Sequence, residues 1–206
     1  LEVQEDERSD RIRCRRSNLT GRQVLHLDGN NSCVALPDGV LSGLNEATVE
    51  LWARMDRAVR DAHFLHLGRA GNELYLAPEG ESALKLLYTD RAAIRHRIVQ
   101  PDLLDANVWF HVAAVFTDAG ARLYLNGALV GTLPAPASPK AIDPSNNFLG
   151  GSVLQGGRRS YFHGRLGQHC EWQRQRRLLP ADEHCGCECV VDLPWQCRLC
   201  GVYARQ

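Results

Sequence analysis

The chain has no surplus charge of either sign: 24 lysines and arginines stand against 24 aspartates and glutamates in 206 residues. A nucleic-acid module normally presents a basic face, so this balance argues against one. No apolar run approaches the ~18 residues that a membrane-spanning helix requires. Methionine occurs once, at Met55, and aromatics make up 7%. Helical periodicity is missing from residues 23–166 too, since no amphipathic stretch longer than two turns stands out there. Cysteine is scarce through most of the chain and crowded at its end. Cys14 and Cys33 stand apart, and six cysteines fall between Cys170 and Cys200. The rest, at 44% hydrophobic and 23% charged, can bury a core, which excludes global disorder.

The text divides into three parts. Residues 1–22 interleave Glu5, Asp6, Glu7 and Asp10 with Arg8, Arg11, Arg13, Arg15 and Arg16. They lack an apolar period, so they read as a polar linker or tail, and the acids cancel the field a nucleic-acid arm would need. From 23 to 166, short alternating apolar runs are separated by Gly, Pro, Asn and Asp, the pattern of an antiparallel all-β domain. Residues 47–53 place Val49 and Leu51 on one face, Glu50 and Trp52 on the other. Phe64–Leu67, Leu74–Leu76 and Leu84–Tyr88 read as further strands. Trp109–Phe116 is a near-continuous apolar run, expected to be a central strand buried on both faces. Asn126-Gly127 between two strand-like runs predicts a type I′ hairpin turn. The fold class is therefore a two-sheet antiparallel β-sandwich of jelly-roll type.

Three blocks carry a family resemblance. The first is Leu27-Asp28-Gly29-Asn30-Asn31, then Val34-Ala35-Leu36-Pro37, then Thr48-Val49-Glu50-Leu51-Trp52. The second is Trp109-x-His111-Val112-Ala113 with Leu123-Tyr124-Leu125-Asn126-Gly127. The third is Phe148-Leu149-Gly150 followed by Phe162-His163-Gly164-Arg165-Leu166. Together they resemble LamG-like jelly-roll domains of the concanavalin A-like lectin/glucanase superfamily over residues 23–166. The resemblance implies two curved sheets packed face to face and a position outside the cell or on its surface. Residues 167–206 depart from it. The family continues with acidic residues and an apolar closing strand, whereas this chain reads Gly167-Gln168-His169-Cys170-Glu171-Trp172. A slipped reading frame after Leu166 is one explanation of this divergent Cys-rich tail, and a genuine extension is the other.

Two sets of residues are candidate ligands for a metal. Cys185, Cys187, Cys197 and Cys200 could hold zinc as paired thiolates or pair as disulfides in an oxidising compartment; an unfolded tail that ligates nothing is the third reading. Asp28 and Asn30 lie in an oxygen-rich loop of the kind that holds calcium, the ion usual for the superfamily. Asp-Gly is equally at home in a plain turn. His111 in a strand, and Trp52 and Trp109, read first as packing residues, with sugar stacking the alternative for the two tryptophans. The superfamily's glucanases carry Glu-x-Asp-x-x-Glu on one strand, and no such run occurs. The expected function is thus a non-catalytic module of a larger multidomain protein, binding a glycan or protein through loops at the sandwich edge. The alternative is a glycoside hydrolase with carboxylates from separate strands, the candidates being Glu50, Glu73 and Asp90.

Overall fold

The computed structural model describes residues 13–16, 23–90, 92–153, 159–167 and 201–205. Its strands are β1 (Arg13–Arg16), β2 (Gln23–Asp28), β3 (Val34–Ala35), β4 (Glu46–Met55), β5 (Leu65–Arg69) and β6 (Asn72–Glu79). Then come β7 (Ala83–Thr89), β8 (Arg95–Gln100), β9 (Trp109–Thr117), β10 (Gly120–Leu125) and β11 (Ala128–Leu133). The last are β12 (Phe148–Leu149), β13 (Gly151–Val153), β14 (Arg159–Tyr161), β15 (His163–Gly167) and β16 (Gly201–Arg205). One sheet runs β1-β2-β15-β4-β9-β10-β11, with β16 also on β4; the other runs β3-β12-β5-β6-β7-β8, and β13 pairs with β14 apart. All pairings are antiparallel. Strands β1 and β16 fall in the segments that the sequence reads as polar linker and divergent tail.

Period-two alternation explains the layers. Along β4, Ala47, Val49, Leu51, Ala53 and Met55 are buried, while Glu50, Trp52 and Arg54 point outward half-buried. From the other sheet Leu65, Leu67, Leu74, Leu76, Leu84 and Leu86 meet them, each 1% exposed or less. Phe64 joins the layers edge-on, with ring centroids 5.6 Å from Phe110 and 5.0 Å from Phe162. Strand β9 is central, between β4 and β10, but it is not buried on both faces. Phe110, Val112, Ala114 and Phe116 pack inward, while Trp109 is 38% exposed and His111 and Val115 are half-covered. A two-layer sandwich covers only one face of each sheet, so an apolar run can exceed what the core takes.

The predicted hairpin turn is present: Asn126 and Gly127 have φ of 50° and 82°, the two positive values that a type I′ turn needs. At the preceding turn Gly120 has φ 139°, and a Cβ there would collide with the Leu133 carbonyl.

Candidate functional site

The outer face of the six-stranded sheet carries a cleft of ≈ 730 Å³. Residues 58–63 form one wall; β6, β7 and β8 supply Glu73, Tyr75, Lys85 and Arg95. Alternation places Tyr75 outward between the inward Leu74 and Leu76, and Lys85 outward between Leu84 and Leu86. Opposite Lys85 in the ladder stands Ala77, whose small side chain leaves space. Ala58, Ala62, Ala70 and Gly80 also line the cleft.

Its polar groups are tied to one another. Lys85 Nζ donates to Glu79 Oε2 at 2.5 Å and lies 5.4 Å from the centre of the Tyr75 ring. Arg95 Nη2 donates to Glu73 Oε1 at 2.8 Å. His63 stacks on Tyr75 at 4.1 Å and 10°. His66, opposite Tyr75 in the ladder, faces away from the core yet is 0% exposed. The His63 and His66 Nδ1 atoms lie 3.0 Å apart, and His66 Nε2 lies 2.9 Å from the Gly68 carbonyl oxygen. A carbonyl only accepts, so His66 Nε2 carries its hydrogen, its Nδ1 accepts, and His63 Nδ1 donates.

Burial sets the titration of these groups. It holds His63 well below the usual histidine range, helped by His66 and Lys85, and lowers His66 as well. It raises Glu73 despite the Arg95 guanidinium, and raises Tyr75 despite Lys85. Burial opposes the Lys85 charge, but Glu79 and Tyr75 outweigh it and keep the ammonium above its ordinary value. At neutral pH the cleft therefore holds neutral imidazoles beside carboxylates and cations that pair with one another.

Of the described residues singled out from the sequence, Glu73 lines the cleft and the others do not. Asp28 ends β2, and its Oδ1 accepts the Asn30, Asn31 and Ser32 N–H groups and the Ser32 hydroxyl, the last at 2.6 Å. Partial desolvation alone would raise its pKa; the hydrogen bonds override this and lower it to about 2. These bonds close the turn through Asn30. Asp28→Ala is expected to cost about 1 kcal/mol, since charge-assisted bonds at an exposed loop are partly replaced by water; urea unfolding checks this. Among the described residues, no group of three or more His, Cys, Asp or Glu side chains is placed to hold a metal ion. Cys185, Cys187, Cys197 and Cys200 lie outside the described residues, and Cys33 is a half-buried free thiol.

Glu50, Glu73 and Asp90 do not converge. Glu50 is on β4 of the other sheet, 3.4 Å from His111. Asp90 holds the β7–β8 turn, accepting the Ala92 and Ile94 N–H groups and facing His96 Nε2 at 2.8 Å. Trp52 packs beside His111 at 5.3 Å on the opposite face of the molecule from the cleft. His63, Tyr75, Lys85 and Arg95 escaped the sequence reading. Their one local signal is charge inside or beside apolar runs, as with Lys85 within Leu84–Tyr88.

Two antiparallel sheets packed face to face, with a polar cleft on one outer face, define a jelly-roll β-sandwich. The chain belongs to the concanavalin A-like lectin/glucanases superfamily, whose laminin G family model matches residues 28–177. No curated protein matches it in sequence. Among solved structures, it is similar to the CBM40 of the Ruminococcus gnavus IT-sialidase, determined with α2,3 sialyllactose. That match has 18% identity and a TM-score of 0.52, covering 66% of this chain and 89% of the other. It is also similar to domain 4 of a GH43 extracellular arabinanase from Geobacillus stearothermophilus, determined with arabinotriose. Here identity is 17% and TM-score 0.61, over 79% of this chain and 75% of that one. Mouse laminin α1 domains LG4-5 align at 16% identity and TM-score 0.57, over 81% of this chain and 45% of theirs. At these identities the likeness establishes the fold.

Proposed function

We propose that the chain is a non-catalytic recognition module of a larger protein, and that it binds a neutral glycan in the cleft on the six-stranded sheet. The observation that carries this reading is the internal pairing of the cleft's charges. Arg60, Lys85 and Arg95 stand against Asp61, Glu73, Glu79 and Glu81, so no net positive field is left to select a phosphate or sulfate. Fixed carboxylates, cations and a phenol within one cleft suit hydroxyl groups, each of which donates and accepts at once. The alanines and Pro78 offer apolar contact to the C–H faces of a sugar ring. The volume lies within the roughly 300–1,000 Å³ of small-ligand sites. Domains of this fold determined with sialyllactose, an anionic sugar, and with arabinotriose, a neutral one, support a glycan over a protein ligand, and the balanced charges of this cleft favour the neutral kind.

The test is a glycan array followed by calorimetric titration of the sugars that bind, with arabinotriose and sialyllactose included. Tyr75→Ala and Lys85→Ala are each expected to weaken binding about tenfold or more, the loss of one charge-assisted bond or ring contact. Saturable binding that both variants leave unchanged would place the ligand elsewhere, and a blank array would remove the glycan reading. Turnover of β-glucans lost in Glu50→Gln would assign the hydrolytic alternative instead.

A further inference from the structure

We propose that His63 and His66 form a proton-sensitive positioning pair, which fixes the wall of the cleft while both rings are neutral and releases it when they take up protons. The inference rests on the glycan reading for its ligand but not for its motion. His63 ends the segment 58–63 that forms the wall, and its ring is bonded on one side to His66 and stacked on the other against Tyr75. His66 is anchored in turn by the Gly68 carbonyl. The chain of contacts thus runs from the backbone of β5, through two imidazoles, to the Tyr75 phenol that lines the cleft.

With both rings neutral, only one assignment of hydrogens satisfies every contact. A first proton, on His63 Nε2, keeps the bond between the rings but creates a buried cation near the Lys85 ammonium. A second, on His66 Nδ1, sets N–H against N–H and breaks the bond. The charged groups facing the pair come from every packed element. Strand β6 brings Glu73, whose Oε2 lies 3.9 Å from His66 Nε2, and Tyr75; β7 brings Lys85, held by Glu79; β8 brings Arg95, held on Glu73; the wall itself carries Arg60 and Asp61. Glu73 is the one carboxylate in that set close enough to favour a proton on His66, and Arg95 already claims it. Burial of both rings delays uptake to below the ordinary histidine value of 6.5.

The full chain tests this in two arms, from about pH 7.5 down through the pH at which both imidazoles take up protons. In the first, without sugar, imidazole C–H signals are followed by NMR alongside hydrogen exchange of amides 58–63. Loss of protection at these amides in step with proton uptake is expected, and unchanged protection through the titration overturns the proposal. In the second, affinity for arabinotriose is measured in the wild type and in the doubly substituted His63→Asn/His66→Asn chain. There an amide N–H replaces the donor and an amide oxygen the acceptor, with nothing to titrate. The wild type is expected to lose about tenfold in affinity on acidification and the variant less than about threefold. An equal loss in both overturns the proposal. His66→Asn alone, which keeps the acceptor, is the second variant should the double one fail to fold. If arabinotriose does not bind at about pH 7.5 and the glycan array is blank, the ligand reading fails while the first arm still decides the motion.

Discussion

Phe64→Ala is expected to lower the stability of the sandwich by about 3–5 kcal/mol, the range for emptying a fully buried aromatic site. Phe64 is 0% exposed and stands where the chain enters β5. Its ring meets Phe110 from the opposite sheet at 64° and Phe162 at 78°, so it is a joint between the layers. Its backbone is fixed as well, the N–H donating to Leu76 and the carbonyl accepting from Gly150. The surrounding groups are therefore poorly able to collapse into the space left behind. A control comes from the same molecule. Trp109 is a larger aromatic but is 38% exposed, and Trp109→Ala is expected to cost less than about 1.5 kcal/mol. Urea unfolding of both variants measures the difference, read from midpoints at constant m-value. Equal losses would show that Phe64 does not join the sheets as its contacts indicate.

What the sequence discloses here is what depends on neighbours in the chain. The alternation of Val49 and Leu51 with Glu50 and Trp52 survives intact in β4, because period two is a property of the strand itself. Asn126-Gly127 is legible because only a few residue types accept two successive positive φ values. Strand β8 was not legible. Of its side chains only Ile98 is buried, with Arg95, Arg97 and Val99 exposed, and its conformation is set by the ladder to β7. Edge strands carry little of the core and so little of its pattern. The double burial expected for Trp109–Phe116 failed for a related reason, since hydrophobicity reports the capacity to be buried and not which layers are present.

The cleft was still harder to see. Its residues come from a loop and three strands, at spacings set by register: His66 beside Tyr75, Ala77 beside Lys85. No linear motif encodes such a cross-strand set. Glu73, noted first as a carboxylate for hydrolysis, proves to be bonded to Arg95 and near His66, a partnership invisible in sequence. The third block of family text ends at Leu166, yet the family match continues to residue 177.

Arg95→Met is expected to destabilise the fold by about 2 kcal/mol near neutral pH, and the deficit is expected to shrink in acid. Glu73 is 5% exposed, and burial has already pushed its pKa above the usual carboxylate value of 4.5. Removing the guanidinium leaves a desolvated anion with its main partner gone. Such losses reach about 3–5 kcal/mol for fully buried pairs, but the Arg95 side chain is 57% exposed, so solvent screens part of the effect. The sign follows from proton binding. With its native-state pKa above the unfolded value, Glu73 takes up a proton more readily in the folded chain, and folding gains as pH falls through that raised pKa. The histidine pair acts the other way: its native pKa values lie below 6.5, so its contribution is complete above that value and is lost as pH falls beneath it. Subtracting the variant's unfolding free energy from the wild type's at each pH leaves the titration of Glu73 together with the change that the freed carboxylate makes in His66, 3.9 Å away. The double variant Glu73→Gln/Arg95→Met, which has no charge to bury, is expected to recover to within about 1 kcal/mol of the wild type with no acid-dependent deficit. A deficit that persists in acid, or that Glu73→Gln fails to relieve, would assign the loss to packing of the Arg95 stem.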